Sequence, residues 1–249
     1  MNKIDALFKE KKNIFSIYFT AGFPKLDDTN IILTELEKAG ADMIEIGIPF
    51  SDPLADGPTI QHSSEVALKN GMSLKLLFEQ LSIINCQLPI LLMGYLNPVL
   101  QFGAENFCKK ANDVGVSGII IPDLPMDEYI SEYKTFFKKY NLKNIFLITP
   151  QTSEKRIRLI DENSNGFIYM VSSPSTTGAK SGIDNAQEEY FKKVKSMKLK
   201  NPLMIGFGIS DKQSFAKACE YANGAIIGSA FIKALENKIS VNDFIKTIQ

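Results

Sequence analysis

Residues 42–48 read DMIEIGI, and residues 49–61 continue PFSDPLADGPTIQ. The first stretch has the apolar, β-branched content of a strand buried on both faces. Side chains alternate along a strand, so Ile44, Ile46 and Ile48 take one face and Met43, Glu45 and Gly47 the other. The isoleucine face suits packing beneath helices. The second face carries a carboxylate inside an apolar run, and Gly47 beside it is expected to leave room for a ligand. The loop that follows adds Asp52 and Asp56, and Pro49, Pro53 and Pro58 restrict its freedom.

Working outward, similar apolar runs occur at residues 14–20, 89–95, 117–123, 144–149, 166–172, 202–208 and 224–229. Amphipathic segments lie between them. In residues 29–39, Ile32, Leu33 and Leu36 share a helical face, and in residues 105–114 Phe107, Ala111 and Val114 do the same. Eight strands alternating with eight helices predict an α/β fold, a closed parallel (βα)8 barrel, as one domain over residues 1–249. A doubly wound open sheet is the alternative. Its dinucleotide-binding version is weakened because no strand is followed by GxGxxG.

The balance of 28 basic and 28 acidic residues argues against a binder of the nucleic-acid backbone. Arg156 and Arg158 are the only arginines, so an anion site is expected to use backbone N–H groups or lysine. Cys86, Cys108 and Cys219 show no metal-ligand spacing and read as reduced thiols of a cytosolic protein. The N-terminus MNKIDALFKEKKN has no signal-peptide core, and no apolar run approaches the roughly 20 residues of a membrane span.

Glu45 falls near the C-terminal end of its strand, where barrels of this type hold their active sites. No run in the sequence offers it an internal Lys or Arg. A buried, unpaired carboxyl has a raised pKa, which suits a group that both gives and takes a proton. Asp52 reads as a turn or cap residue. Asp56, in an Asp-Gly pair, reads equally as a turn residue and as a site residue. The segments GFGIS (206–210) and IIGSAF (226–231) place Gly then Ser at the last two strand-to-helix junctions, where barrels commonly bind phosphate. Residues 172–182, SSPSTTGAKSG, read either as a lid or as a plain flexible loop. His62 is the only histidine, so a catalytic triad or His-based metal site is not expected; a solvent-facing or capping role is.

The stretch GIPFSDPLADGPTIQ resembles the signature loop of the tryptophan synthase alpha subunit family. FTAGFP (19–24), LLMGYLNPVL (91–100), IPDLP (121–125), STTG (175–178), GFGIS and IIGSA agree in order, so the resemblance spans nearly the whole chain. It implies a TIM barrel lyase of tryptophan biosynthesis that cleaves indole-3-glycerol phosphate by a retro-aldol reaction. It implies Glu45 as general acid/base and Asp56 as partner of the indole N–H. Gly178, Gly208, Gly228 and Ser229 match phosphate-holding positions. Phe19, Tyr95, Ile121, Tyr169 and Phe207 match positions lining the indole pocket or adjoining the site. No metal or organic cofactor is implied for this subunit. Pyridoxal phosphate belongs to a beta subunit, which would receive the indole within an αββα assembly. A stand-alone lyase of the same family is the alternative; a sugar-phosphate isomerase would have no use for the DPLADGP loop, and a partner that has lost its chemistry would not need Glu45 and Asp56. Some members carry Arg where this chain has Ser173.

Overall fold

In a computed structural model, which describes residues 1–171, 184–206 and 208–248, the strands close into a parallel barrel. The strands are β1 (Ile14–Thr20), β2 (Met43–Gly47), β3 (Ile90–Met93), β4 (Val116–Ile120), β5 (Lys143–Ile148), β6 (Ile168–Val171), β7 (Leu203–Gly206) and β8 (Gly224–Ile227). Each pairs with its sequence neighbours, and β8 pairs with β1. All eight expected runs are therefore strands. The expected strict alternation with single helices is modified. A helix α1 (Lys3–Glu10) precedes β1, α2 (Asp28–Lys38) follows it, and two helices, α3 (Pro58–Lys69) and α4 (Leu74–Leu81), stand between β2 and β3. The break between α3 and α4 has a local cause: Gly71 has φ +93°, and Ser73 caps α4 by accepting the Leu76 N–H.

Strand register fixes which residues face inward. Tyr18, Glu45, Leu91, Gly118 and Lys143 occupy one row across β1 to β5, and Gly47 aligns with Thr20, Met93 and Ile120. The opposite faces, with Ile17, Phe19, Ile44, Ile46, Leu92 and Ile119, lie beneath the helices and are fully or almost fully buried. In α2, Ile32, Leu33 and Leu36 are buried as their spacing predicts, each such side chain contributing about 1.5–3 kcal/mol.

One end of the barrel is sealed by α1. Asn2 caps this helix through Ile4 N–H and donates its amide to the carbonyls of Ser117 and Asn141 at 2.8 and 2.7 Å. Ile4 is fully buried and reaches the space left by Gly118, while Phe8 packs on Phe167 with ring centroids 5.7 Å apart. Lys143 corrects the expectation that the strands hold no cation. It lies in β5 but is bound to Asp5 of α1 at 2.8 Å, so it serves the sealed end and pairs with no interior carboxylate. The C-terminal strand ends form the other, open end.

Two glycines test this packing. A Cβ at Gly224 would strike the backbone of Ile14 on the paired strand, which cannot move without breaking the ladder. A Cβ at Gly118 would meet the flexible tips of Ile145 and Ile4 at 2.9 Å and the Lys143 carbonyl at 3.2 Å, a far milder approach to backbone. Gly224→Ala should cost about 3 kcal/mol or more and Gly118→Ala about 1 kcal/mol, read by urea denaturation. Equal losses would contradict the register.

Candidate active site

The open end gathers side chains from β1, β2, β6, the loop after β2 and the segment after β3. Glu45 has no solvent exposure. Its Oε1 accepts from Ser16 Oγ at 3.3 Å, and its Oε2 is buried without a hydrogen-bond partner. Among the described residues it forms no ion pair. Burial therefore dominates and pushes the carboxyl up to about 8, with Ser16 opposing weakly.

Asp56 stands on the loop between β2 and α3. Its Oδ2 accepts from the Tyr95 hydroxyl at 3.0 Å, and that hydroxyl accepts from the Ala55 N–H at 3.0 Å. Phe50 stacks on the Tyr95 ring at 5.3 Å, so one tyrosine is fixed from both sides of the loop. Burial pushes Asp56 up to about 6, and the Tyr95 bond holds it from going higher. Tyr18 and Tyr169 face the interior from β1 and β6, and both phenols are raised, first by burial and then by the nearby carboxylates. Their hydroxyls occupy the space left by Gly47 and Gly206 respectively. The room beside Gly47 is thus filled by the chain's own Tyr18, which corrects the expectation that it is left for a ligand.

Two of the residues expected to line the pocket or adjoin the site stand next to an inward-facing neighbour. Phe19 is fully buried on the helix-facing side, aligned with Ile46, and its neighbour Tyr18 is the inward residue. Ile121 lies just past β4 and is 4% exposed; the last inward residue of that strand is Ile120, in the row of Gly47 and Met93. Gly208, with φ +77°, follows β7, and Gly228 and Ser229 follow β8, so adjacent strands bring these glycines to the open end. Gly228 is the N-cap of the helix Ser229–Glu236, and no side chain caps that end. Its first N–H groups remain available to an anion. Gly178, Phe207, Ser173 and the stretch 172–182 lie outside the described residues.

The remaining candidates fall away from this centre. His62, on α3, is half exposed and 3.3 Å from Glu236. Asp52 is exposed and accepts from Ser51. Cys86 and Cys108 are buried thiols, and Cys219 is half-buried. Among the described residues no cluster of His, Cys, Asp or Glu is arranged to hold a metal ion, and no helix is long and apolar enough to cross a membrane.

A family model described as tryptophan synthase alpha chain matches residues 4–247. The chain belongs to the tryptophan synthase alpha chain family. It is 60% identical to the tryptophan synthase alpha chain of Flavobacterium psychrophilum, covering 100% of both chains. It is 55% identical to that of Bacteroides thetaiotaomicron over 96% of this chain and 94% of the relative. The crystal structure of tryptophan synthase subunit alpha from Legionella pneumophila str. Paris superposes with a TM-score of 0.86 at 33% identity, covering 100% and 98% of the two chains.

In this alpha chain, sequence reasoning missed Ser16, Tyr18, Thr20 and Ser63. The signal was available in part: Ser16, Tyr18 and Thr20 are the alternate residues of IFSIYFT, a polar face in an otherwise apolar run.

The raised Glu45 carboxyl sets a sign for stability. Its folded value near 8 exceeds the ordinary 4.5, so the folded state binds this proton more tightly than the unfolded chain. Stability from this group is complete below pH 4.5 and is lost as pH rises through 8, on the order of 5 kcal/mol in all. Asp56 adds a loss of the same sign between 3.8 and about 6. Glu45→Gln should remove the larger loss and be the more stable protein at pH 9 by denaturant titration. A wild-type advantage at pH 9 would contradict the burial argument.

Proposed function

We propose that this chain cleaves indole-3-glycerol phosphate to indole and glyceraldehyde 3-phosphate, with Glu45 moving the proton and Asp56 holding the indole N–H. The observation that carries this reading is a pair of carboxyls at one barrel mouth whose environments set them apart, at about 8 and about 6. At pH 7 the first is mostly protonated and the second mostly ionised, which supplies an acid and an anion together. Glu45 gives its proton to C3 of the indole, and the ring becomes a cationic indolenine. Asp56 stabilises that charge through the ring N–H. The Glu45 carboxylate then takes the proton of the hydroxyl on the adjoining side-chain carbon. As that O–H bond breaks, the carbonyl forms, the carbon–carbon bond breaks and its electron pair restores the aromatic ring. Glu45 ends protonated, ready for another turnover.

Gly208, Gly228 and Ser229 are proposed to receive the phosphate, with Gly178 as a further contact; the uncapped helix start at Ser229 supports this. Tyr95 and Tyr169 are proposed to border the indole, with Phe207. No cofactor is proposed for this chain, which reads as one domain. A beta subunit carrying pyridoxal phosphate is proposed as its partner in an αββα assembly in the cytoplasm. Exposed apolar side chains after three successive strands support a protein contact: Leu54 on the loop after β2, Leu100 on the helix Leu96–Phe102 after β3 and Ile130 on the helical turn Tyr129–Tyr133 after β4 are 93%, 54% and 41% exposed.

The test is indole release from indole-3-glycerol phosphate across pH. The rate constant kcat/KM should rise through about 6 as Asp56 ionises and fall through about 8 as Glu45 loses its proton. Glu45→Gln should lower turnover about 100- to 10,000-fold. Asp56→Asn should abolish the acid limb; an unchanged limb, or near-normal release by Glu45→Gln, would reject the assignments. Leu54→Asp should weaken beta-subunit binding at least about tenfold in calorimetric titration. Undiminished binding would remove Leu54 from the interface.

A further inference from the structure

The interior hydroxyls of β1 and α3 form a chain with a definite direction. Ser63 Oγ is 2.9 Å from the Ile60 carbonyl, to which it can only donate. Thr20 Oγ1 lies 2.6 Å from Ser63 Oγ. Each hydroxyl has one proton, so with Ser63 committed to Ile60, Thr20 must donate to Ser63. The Tyr18 hydroxyl, 3.5 Å from Thr20 Oγ1, is then the donor in the last link. Thr20 and Ser63 have no solvent exposure, so water does not compete for these protons. Reversing the chain would give up the Ser63 bond to Ile60, a loss of a buried hydrogen bond.

The consequence falls on Tyr18. Its proton points along the chain, and its oxygen is left as an acceptor in the barrel interior. The side chain is held between two strands: its ring lies against Gly228 of the β8 end, within 3.3 Å of where a Cβ would stand, and its hydroxyl lies over Gly47 of β2. Tyr18 therefore spans from the end proposed for phosphate to Gly47, two residues beyond Glu45 on β2. The charges of Asp56 and Glu45 add to burial in holding the phenol neutral.

Under the proposed reaction the substrate brings three donors. The indole N–H is taken by Asp56, and the hydroxyl on the carbon bonded to the ring is taken by Glu45. The hydroxyl on the middle side-chain carbon, between that reacting carbon and the phosphate-bearing one, has no partner among these. We propose that Tyr18 is a specificity-determining residue whose phenolic oxygen, fixed as an acceptor by the Thr20–Ser63 chain, receives this middle hydroxyl. The inference rests on the indole-3-glycerol phosphate reading.

The test compares indole-3-glycerol phosphate with its analogue lacking the middle hydroxyl, using the full chain with its beta subunit. The wild-type protein should prefer the natural substrate in kcat/KM, with about tenfold of the preference supplied by this bond. Tyr18→Phe keeps the ring and removes the oxygen, and it should lose that part of the preference. A role in packing alone would alter stability and leave the preference intact, so a Tyr18→Phe protein with the full wild-type preference overturns the proposal. Ser63→Ala provides a second arm. It releases the Thr20 proton, allows the chain to reverse and should reduce the preference partially; an undiminished preference in that variant overturns the directional chain. If wild-type protein releases no indole from the natural substrate, the reaction reading itself fails, which is a different outcome from an unchanged preference.

Discussion

Burying Glu45 with no cation beside it among the described residues is the constraint on which the rest of the arrangement depends. An ionised carboxylate in this position would be costly, and the protein meets the cost by holding the group protonated near neutral pH. That outcome requires a dry interior. The sealed end supplies it: α1 inserts Ile4 toward Gly118, and the Lys143–Asp5 pair holds the one strand cation away from the Glu45 carboxyl. Ser16 gives the carboxyl a single weak contact, which orients one oxygen and leaves the other unpartnered. A strong partner there would stabilise one protonation state and blunt a group that must alternate between two.

Asp56 is held by different means. It sits on a loop, and loops position side chains poorly unless anchored. Pro53 and Pro58 flank it, Tyr95 bonds it directly, and α3 begins just beyond it at Pro58. That helix is in turn tied to the end of β1 through Ser63 to Thr20, and to the loop after it through Asn70 to the carbonyls of Gly22 and Pro24, both at 2.9 Å. The second carboxyl is thus referenced to the same strand ends as the first. The division of labour follows: the strand makes Glu45 dry, and the loop gives Asp56 enough polar contact to ionise at lower pH.

Much of this was legible in the sequence, and the failures have physical reasons. The strands were readable because parallel strands buried on both faces appear as continuous apolar runs, and Glu45 stood out as the exception within one. The same continuity hid which face of β1 points inward. In IFSIYFT both Tyr18 and Phe19 are aromatic and apolar enough for either side; the polar Ser16 and Thr20 only hint at the face of Tyr18, and the register with Glu45 separates the two. Gly47 was readable as a missing side chain, but not as space for Tyr18, because that contact crosses from another strand. Lys143 escaped because it is the first residue of β5, at the end where a helix from the other terminus of the run of elements covers it. The Thr20–Ser63 pair joins residues 43 apart in sequence, and no local pattern announces such a contact.

The central claim is that Glu45 is a neutral acid at physiological pH because burial makes it one. Carbon-13 NMR of the side-chain carboxyls, with the Glu45 resonance assigned by its absence in Glu45→Gln, reads this directly. The account predicts a midpoint near 8 for that resonance in the folded protein. A midpoint near the ordinary 4.5 would mean that the carboxylate is ionised inside the barrel at neutral pH, and the account of proton transfer would fail.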